Sequence, residues 1–183
     1  MRVQNLETER LLLRPWDHED AGRLLDMQSR VEVMRWLGAG EPKLMKDLDE
    51  AHARIESYTE RSATPPRAFW AIAPRDGGAP AGTALLLTLP NADEGEVEIG
   101  WHLHPDSWGQ GYASEAASAV LAHGFAGGLP EILAVTQLDN RRSMSVCRRI
   151  GMREQGVVEK WYDGPSRLFR ITAEEWPAAQ PPA

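Results

Sequence analysis

At 183 residues, with ordinary apolar content and a net charge of −7, the chain has the size of one globular domain with its own core. That charge argues against a nucleic-acid backbone as the main partner, which calls for a basic footprint, and it agrees better with a cationic substrate such as an amine, although many enzymes of neutral substrates are acidic too. Cys147 alone forms no internal disulfide and no multi-cysteine metal site, no apolar run is long enough to span a bilayer, and the first residues lack a signal peptide's apolar segment. A cytoplasmic protein is expected, with no membrane or nucleic-acid partner.

Taken in order, Leu6–Pro15 alternates as a first strand. Asp17, with Asp20 three residues on, is placed to cap a helix carrying Ala21, Leu24, Leu25 and Gln28. A short second helix over Val31–Leu37 is expected to stop at Gly38-Ala39-Gly40. Pro42 suits a helix start, and Leu44, Leu48, Ala51, Ile55 and Tyr58 form the apolar stripe of a third helix, closed by Thr64-Pro65-Pro66. Strands are expected at Arg67–Ala73 and Ala81–Leu89.

From Glu94 the period is again two. Val97, Ile99, Trp101 and Leu103 face one way; Glu96, Glu98, Gly100, His102 and His104 face the other, which predicts a strand with one buried face and one face toward a cleft. Pro105 ends it, and Gly109 and Gly111 allow a tight turn with close backbone approach. From Ala113 the spacing turns helical through Phe125, so free N–H groups at the helix start form an anion site, and the ligand expected there is a phosphate-bearing cofactor. Ile132–Val135 reads as a buried strand, which the crossover helix makes a parallel neighbour of the Glu98 strand. Asp139-Asn140 caps a further helix through Ile150, and strands at Met152–Trp161 and Ser166–Thr172 flank an Asp163-Gly164 turn. One domain over 1–176 and a frayed tail over 177–183 are expected.

These residues resemble a known family. Glu98-x-Gly100-Trp101-x-Leu103-x-Pro105, followed by Trp108-Gly109-Gln110-Gly111-Tyr112-Ala113-Ser114-Glu115-Ala116, is similar to the acetyl-CoA-binding core of the GCN5-related N-acetyltransferases (GNAT). Asn140-x-x-Ser143 leading into Cys147-x-x-Ile150-Gly151-Met152 matches the family's second signature. Leu6-x-Thr8-x-Arg10-Leu11-x-Leu13-Arg14-Pro15-Trp16 resembles the opening of its ribosomal-protein N-acetyltransferase (RimJ/RimL-like) branch. The resemblance implies an α/β (α+β) fold: one mixed, mostly antiparallel sheet of about seven strands, with a parallel central pair and helices on both faces. Two positions depart from the pattern. Trp108 stands where the loop often begins with Gln or Arg, and Cys147 stands where many members carry a tyrosine acid.

The same resemblance implies direct transfer of an acetyl group from acetyl-CoA, as co-substrate, to a primary amine through a tetrahedral intermediate. The acceptor would be a protein N-terminus or a small molecule, no metal is required, and a homodimer is compatible with it. The pyrophosphate is expected over the amides of Gly109, Gln110, Gly111, Tyr112, Ala113 and Ser114, beside Trp108. The pantetheine arm is expected along the backbone of Trp101, His102 and Leu103, with Asn140 and Ser143 on its other side, and a strand amide is placed to stabilise an oxyanion. Glu98 is the candidate base, its pKa raised by partial burial near Glu96 and other acids, against a reading as a solvated, salt-bridged strand residue. His102 and His104 are alternative bases or surface and hydrogen-bonding residues. Ser143 is the candidate acid or a capping hydroxyl, Cys147 a core residue or an acid, and water is the third option. Arg141-Arg142 and Arg148-Arg149 are a solvated helix face or a site for the coenzyme's 3'-phosphate. A non-catalytic acyl-CoA sensor is the competing class. A dinucleotide-binding oxidoreductase is disfavoured because Gly109-x-Gly111 lacks a third glycine at Ser114 and follows a late strand.

Overall fold

The computed structural model describes residues 3–38, 40–162 and 164–179. Strands β1 (Leu6–Glu7), β2 (Leu11–Arg14), β3 (Ala68–Pro74), β4 (Gly82–Thr88) and β5 (Val97–Leu103) run antiparallel in that order, and β6 (Glu131–Gln137), β8 (Ser166–Thr172) and β7 (Arg153–Val158) complete the sheet. Helices α1 (Ala21–Gln28), α2 (Val31–Met34), α3 (Leu48–Arg61), α4 (Tyr112–Ala126), α5 (Arg141–Arg149) and α6 (Trp176–Ala179) are set around it. The expected α/β architecture is met, with eight strands in place of about seven.

The extra strand comes from a break in the expected Leu6–Pro15 strand. Thr8 to Arg10 form a turn in which the Thr8 amide donates to the Leu11 carbonyl at 2.9 Å. Glu115, in the first turn of α4, accepts from the Thr8 hydroxyl at 2.6 Å, from the Arg10 amide at 2.9 Å and from Arg10 Nε at 2.7 Å. Burial pushes this carboxyl up, but the Thr8 and Arg10 donors outweigh it and leave it below its ordinary range. Replacing Glu115 by Ala orphans those donors and is expected to cost about 1–3 kcal/mol, read by urea denaturation. A loss indistinguishable from zero would show the anchor to be idle.

The third helix starts later than its apolar spacing predicts. Asp47 is extended and accepts from the Glu50 amide, so the helix opens at Leu48 rather than near Pro42, and Leu44 is exposed. The second helix is correspondingly short, ending at Met34. Asp17 and Asp20 do form a reciprocal capping box, but on a 3₁₀ turn (His18–Asp20) that leads into α1. Ala39 and Asp163, and with them parts of two expected turns, lie outside the described residues, as does the tail from residue 180; α6 occupies its beginning.

The sheet's pleat sorts two cores. Leu11, Trp70, Ile72, Leu86, Ile99 and Ile132 pack with Ala117, Val120 and Leu121 of α4. Phe69, Ala71 and Leu87 pack with Leu24, Met27, Ile55 and Tyr58 on the other face. The strands are therefore apolar on both sides, and helices cover both faces.

Candidate active site

β5 and β6 are the parallel neighbours that the crossover predicts, yet they share one paired position, Glu98 with Leu133. Beyond it β5 continues to Leu103 against β4 alone, and the two central strands part. A cleft of about 1540 Å³ opens at the split, lined from both faces of the sheet. Trp101, Trp108 to Glu115, Asn140, Ser143 and Arg149 line one part; Gln28, Met34, Arg54, Tyr58, Arg61 and Tyr162 line the other.

The glycine loop forms one wall. Gly109 and Gly111 sit at φ 78° and 82°, a left-handed backbone that a side chain strains, and Gly111 is the N-cap of α4 without a side-chain cap. Among the described residues none of the backbone amides from Gly109 to Ser114 donates to a protein acceptor. They are orphan donors at the positive end of a fifteen-residue helix. Arg10 Nη1 donates to the Gln110 carbonyl at 3.0 Å, tying the loop to the β1–β2 turn. Trp108, the departure from the common pattern, donates its Nε1–H to the Leu103 carbonyl at 2.9 Å and carries the Arg142 guanidinium 4.6 Å above its ring. It closes the end of β5 as a structural wall.

Glu98 stands at the fork. Burial pushes its carboxyl up to about 7, even though the Tyr162 hydroxyl donates to it at 2.5 Å and Arg61 draws it down. Neighbouring acids are not the cause. Glu96 is held by Lys160 and lowered to about 2 by that bond and by backbone donors, so it is spent on a surface pair. Tyr162 is pushed up, by burial first and by the Glu98 charge second. Replacing Tyr162 by Phe removes a bond that favours ionised Glu98, so the carboxyl rises further. The expected result is a severalfold loss of turnover at pH 7 that recovers near pH 9 as the acidic limb of the rate profile moves up. An unmoved limb would separate the two residues functionally.

The histidines are placed differently from one another. His102 is buried, lowered to about 4 by burial and the Arg54 charge, and its Nε2 lies 3.2 Å from Gln28 Nε2, which also donates to the Tyr58 hydroxyl at 2.8 Å. A neutral imidazole accepting from an amide is a packing and hydrogen-bonding element. His104 pairs with Asp26 at 3.0 Å and caps the Pro105–Ser107 turn, away from the fork.

On α5, Asn140 Oδ1 accepts from the Ser143 amide at 3.2 Å, so that oxygen serves as the N-cap while both residues face the cleft. Cys147 is fully buried and pushed up to about 12, a core residue rather than an acid. The arginine pairs divide: Arg148 reaches Glu154 on the outside, while Arg149 donates to the Ser114 hydroxyl at 2.9 Å and Arg142 covers Trp108. Tyr162, Gln28, Arg54 and Arg61 are cleft residues that no motif marked. Among the described residues no cluster of three or more His, Cys, Asp or Glu is placed to hold a metal ion, and no helix is long and apolar enough to cross a membrane.

Comparison with known proteins agrees with this geometry. The profile of the Acetyltransferase (GNAT) domain matches residues 10–153. The chain is 31% identical over 157 residues to the uncharacterized N-acetyltransferase YoaA of Bacillus subtilis, covering 85% of this chain and 86% of that one. It is 27% identical to the FsC-acetyl coenzyme A-N(2)-transacetylase of Aspergillus fumigatus, over 97% of this chain and 80% of that one. Mycobacterium smegmatis RimJ, solved in complex with CoA-disulfide, superposes with a TM-score of 0.80 at 21% identity over 98% of this chain and 94% of that one, a likeness of fold. With its forked central strands and glycine loop opening a helix, the chain belongs to the GNAT acetyltransferase family and is an acyltransferase of the N-acetyltransferase kind.

Proposed function

We propose that the protein transfers an acetyl group from acetyl-CoA to a primary amine, with Glu98 as general base. The observation that carries this reading is a carboxyl raised to about 7 at the point where β5 and β6 part, beside a row of unpartnered amides. The residues fit the coenzyme. The Gly109–Ser114 amides and the α4 dipole suit a pyrophosphate, and the free edge of β5 from Gly100 to Leu103 suits an extended amide-bearing arm. Arg142 and Arg149 stand at the same wall as candidate partners of a further phosphate. Asn140 and Ser143 face the arm from α5.

Acetyl-CoA supplies an activated thioester carbonyl, so the acceptor nitrogen gains the acyl group and the thiol is released. Glu98 takes the proton that the ammonium form of the acceptor must lose, and a base near 7 is half ionised at neutral pH, where such transfer is most effective. Tyr162 orients that carboxylate. The amides of β5 that face β6 beyond Glu98 are candidate oxyanion donors. The departing thiolate, of a thiol with an ordinary pKa of about 8.5, takes up the second proton that the acylated nitrogen sheds, relayed through the Ser143 hydroxyl or through water. The opening segment through Trp16, with the fold likeness to RimJ, favours a peptide or protein N-terminus among the acceptors.

The test is thiol release from acetyl-CoA against a panel of amines and N-terminal peptides, with calorimetric titration of the coenzyme alongside. Release with one acceptor class supports acetyl transfer. Binding without release on any acceptor, or no binding, sinks it.

A further inference from the structure

The part of the cleft wall formed by α3 and the segment before it is basic, against the sign of the chain as a whole. α3 presents Arg54, Tyr58 and Arg61 at i, i+4 and i+7, one face of the helix, and all three line the cleft. Lys43, on the segment before α3, lines it too, with Glu41 as that segment's one acid in the lining. Among the described residues neither arginine nor Lys43 has a carboxylate within 4.0 Å, whereas outer arginines such as Arg23, Arg148 and Arg167 are each paired. Three cations against Glu41 leave the wall positive before Glu98 is counted.

These charges are held toward the chemistry. The Arg61 guanidinium lies 4.8 Å over the buried Phe69 ring, which fixes it on the sheet side of α3. Its field reaches Glu98 and Tyr162, and that of Arg54 reaches His102, so both are electrically close to the fork. Tyr58, between them, is buried and bonded to Gln28, which makes the face rigid. Unpaired guanidinium groups on a rigid face, beside a proton acceptor, are what a carboxylate-bearing substrate needs. Arginine meets a carboxylate with two parallel donors, and the same field repels a polycationic amine.

We propose that the Arg54–Arg61 face is the acceptor's specificity subsite and that it takes an amine bearing a carboxylate near the reacting nitrogen. This deepens the acetyl-transfer reading and rests on it. Two sources share that chemistry, a free acidic amino acid and the acidic N-terminus of a peptide.

The experiment uses the intact protein, acetyl-CoA and acceptors matched in pairs that differ only in charge. Glutamate is set against its diamide, a tetrapeptide beginning Asp-Glu against one beginning Asn-Gln, and spermidine serves as the cationic arm. The acidic member of at least one pair is expected to have kcat/KM higher by about tenfold or more at low salt, an advantage that shrinks as salt rises. Arg54→Gln and Arg61→Gln each reduce the acidic-to-neutral ratio, the double variant abolishes it, and Arg61→Lys restores part of it. Losing the Arg61 charge also raises the pKa read from the rate profile, and Arg61→Lys, which keeps the charge, restores it. The pair that responds identifies the source. A neutral or cationic preference, or an acidic preference that survives in the double variant, overturns the subsite and leaves acetyl transfer standing. No release with any acceptor overturns both.

Discussion

Glu98→Gln is expected to lower turnover at pH 7 by about 10²–10⁴-fold, the range of a lost general base, while calorimetric titration of the coenzyme is unchanged. The wild-type rate should rise through an apparent pKa near 7, and the variant should lose that limb. Superimposable pH profiles would remove Glu98 from the mechanism. The same substitution carries a stability signature of defined sign. The folded carboxyl lies above its unfolded value, so the fold favours the protonated form. Its contribution is fully present below the unfolded pKa and is lost as pH rises toward the folded value, where a half-buried charge must be accommodated. The neutral amide escapes that cost. Glu98→Gln should therefore melt higher than wild type at pH 8–9, and the difference should fade toward pH 4.

Gly111→Val is expected to abolish measurable coenzyme binding while the protein stays folded. At φ 82° a β-branched residue meets strain of about 1–3 kcal/mol. Its Cβ would also come within 3.3 Å of Arg10 Nη2, which Glu115 holds at 2.6 Å. Relief of either moves the first turn of α4 and the orphan amides with it. Circular dichroism should report retained secondary structure and titration no heat. Wild-type affinity in the variant would mean that the anion cradle lies elsewhere.

Much of this was legible before any coordinates. The alternation from Val97 to Leu103, the glycines at Gly109 and Gly111 and the helical spacing after Ala113 are local signals, and local periodicity is what a sequence carries plainly. The parallel pairing of β5 with β6 followed from chirality and connection length. What escaped was set by tertiary contact. Tyr162 reaches Glu98 from 64 residues away, on the connection between β7 and β8, with no spacing to announce it. The break between β1 and β2 answers to Glu115, more than a hundred positions on. α5 was read as two arginine pairs, yet its helical turn sends Arg148 outward and Arg149 inward. Net charge sums over the whole surface and says little of any one wall: α3 and the segment before it bring Arg54, Arg61 and Lys43 to the cleft against Glu41 alone.

The lone shared position between β5 and β6 has a mechanical consequence. Five strands on one side and three on the other are two plates joined along their common edge by a single rung at Glu98 and Leu133. The seam with the fewest paired positions is also where the cleft opens. A molecule that lays hydrogen-bonding groups along the free edge of β5 acts as the missing rungs and welds the plates, so binding energy is shared between recognition and cohesion. Glu98, the proposed base, sits on the rung itself, so the opening angle of the two plates would set how far an acceptor nitrogen stands from its carboxylate.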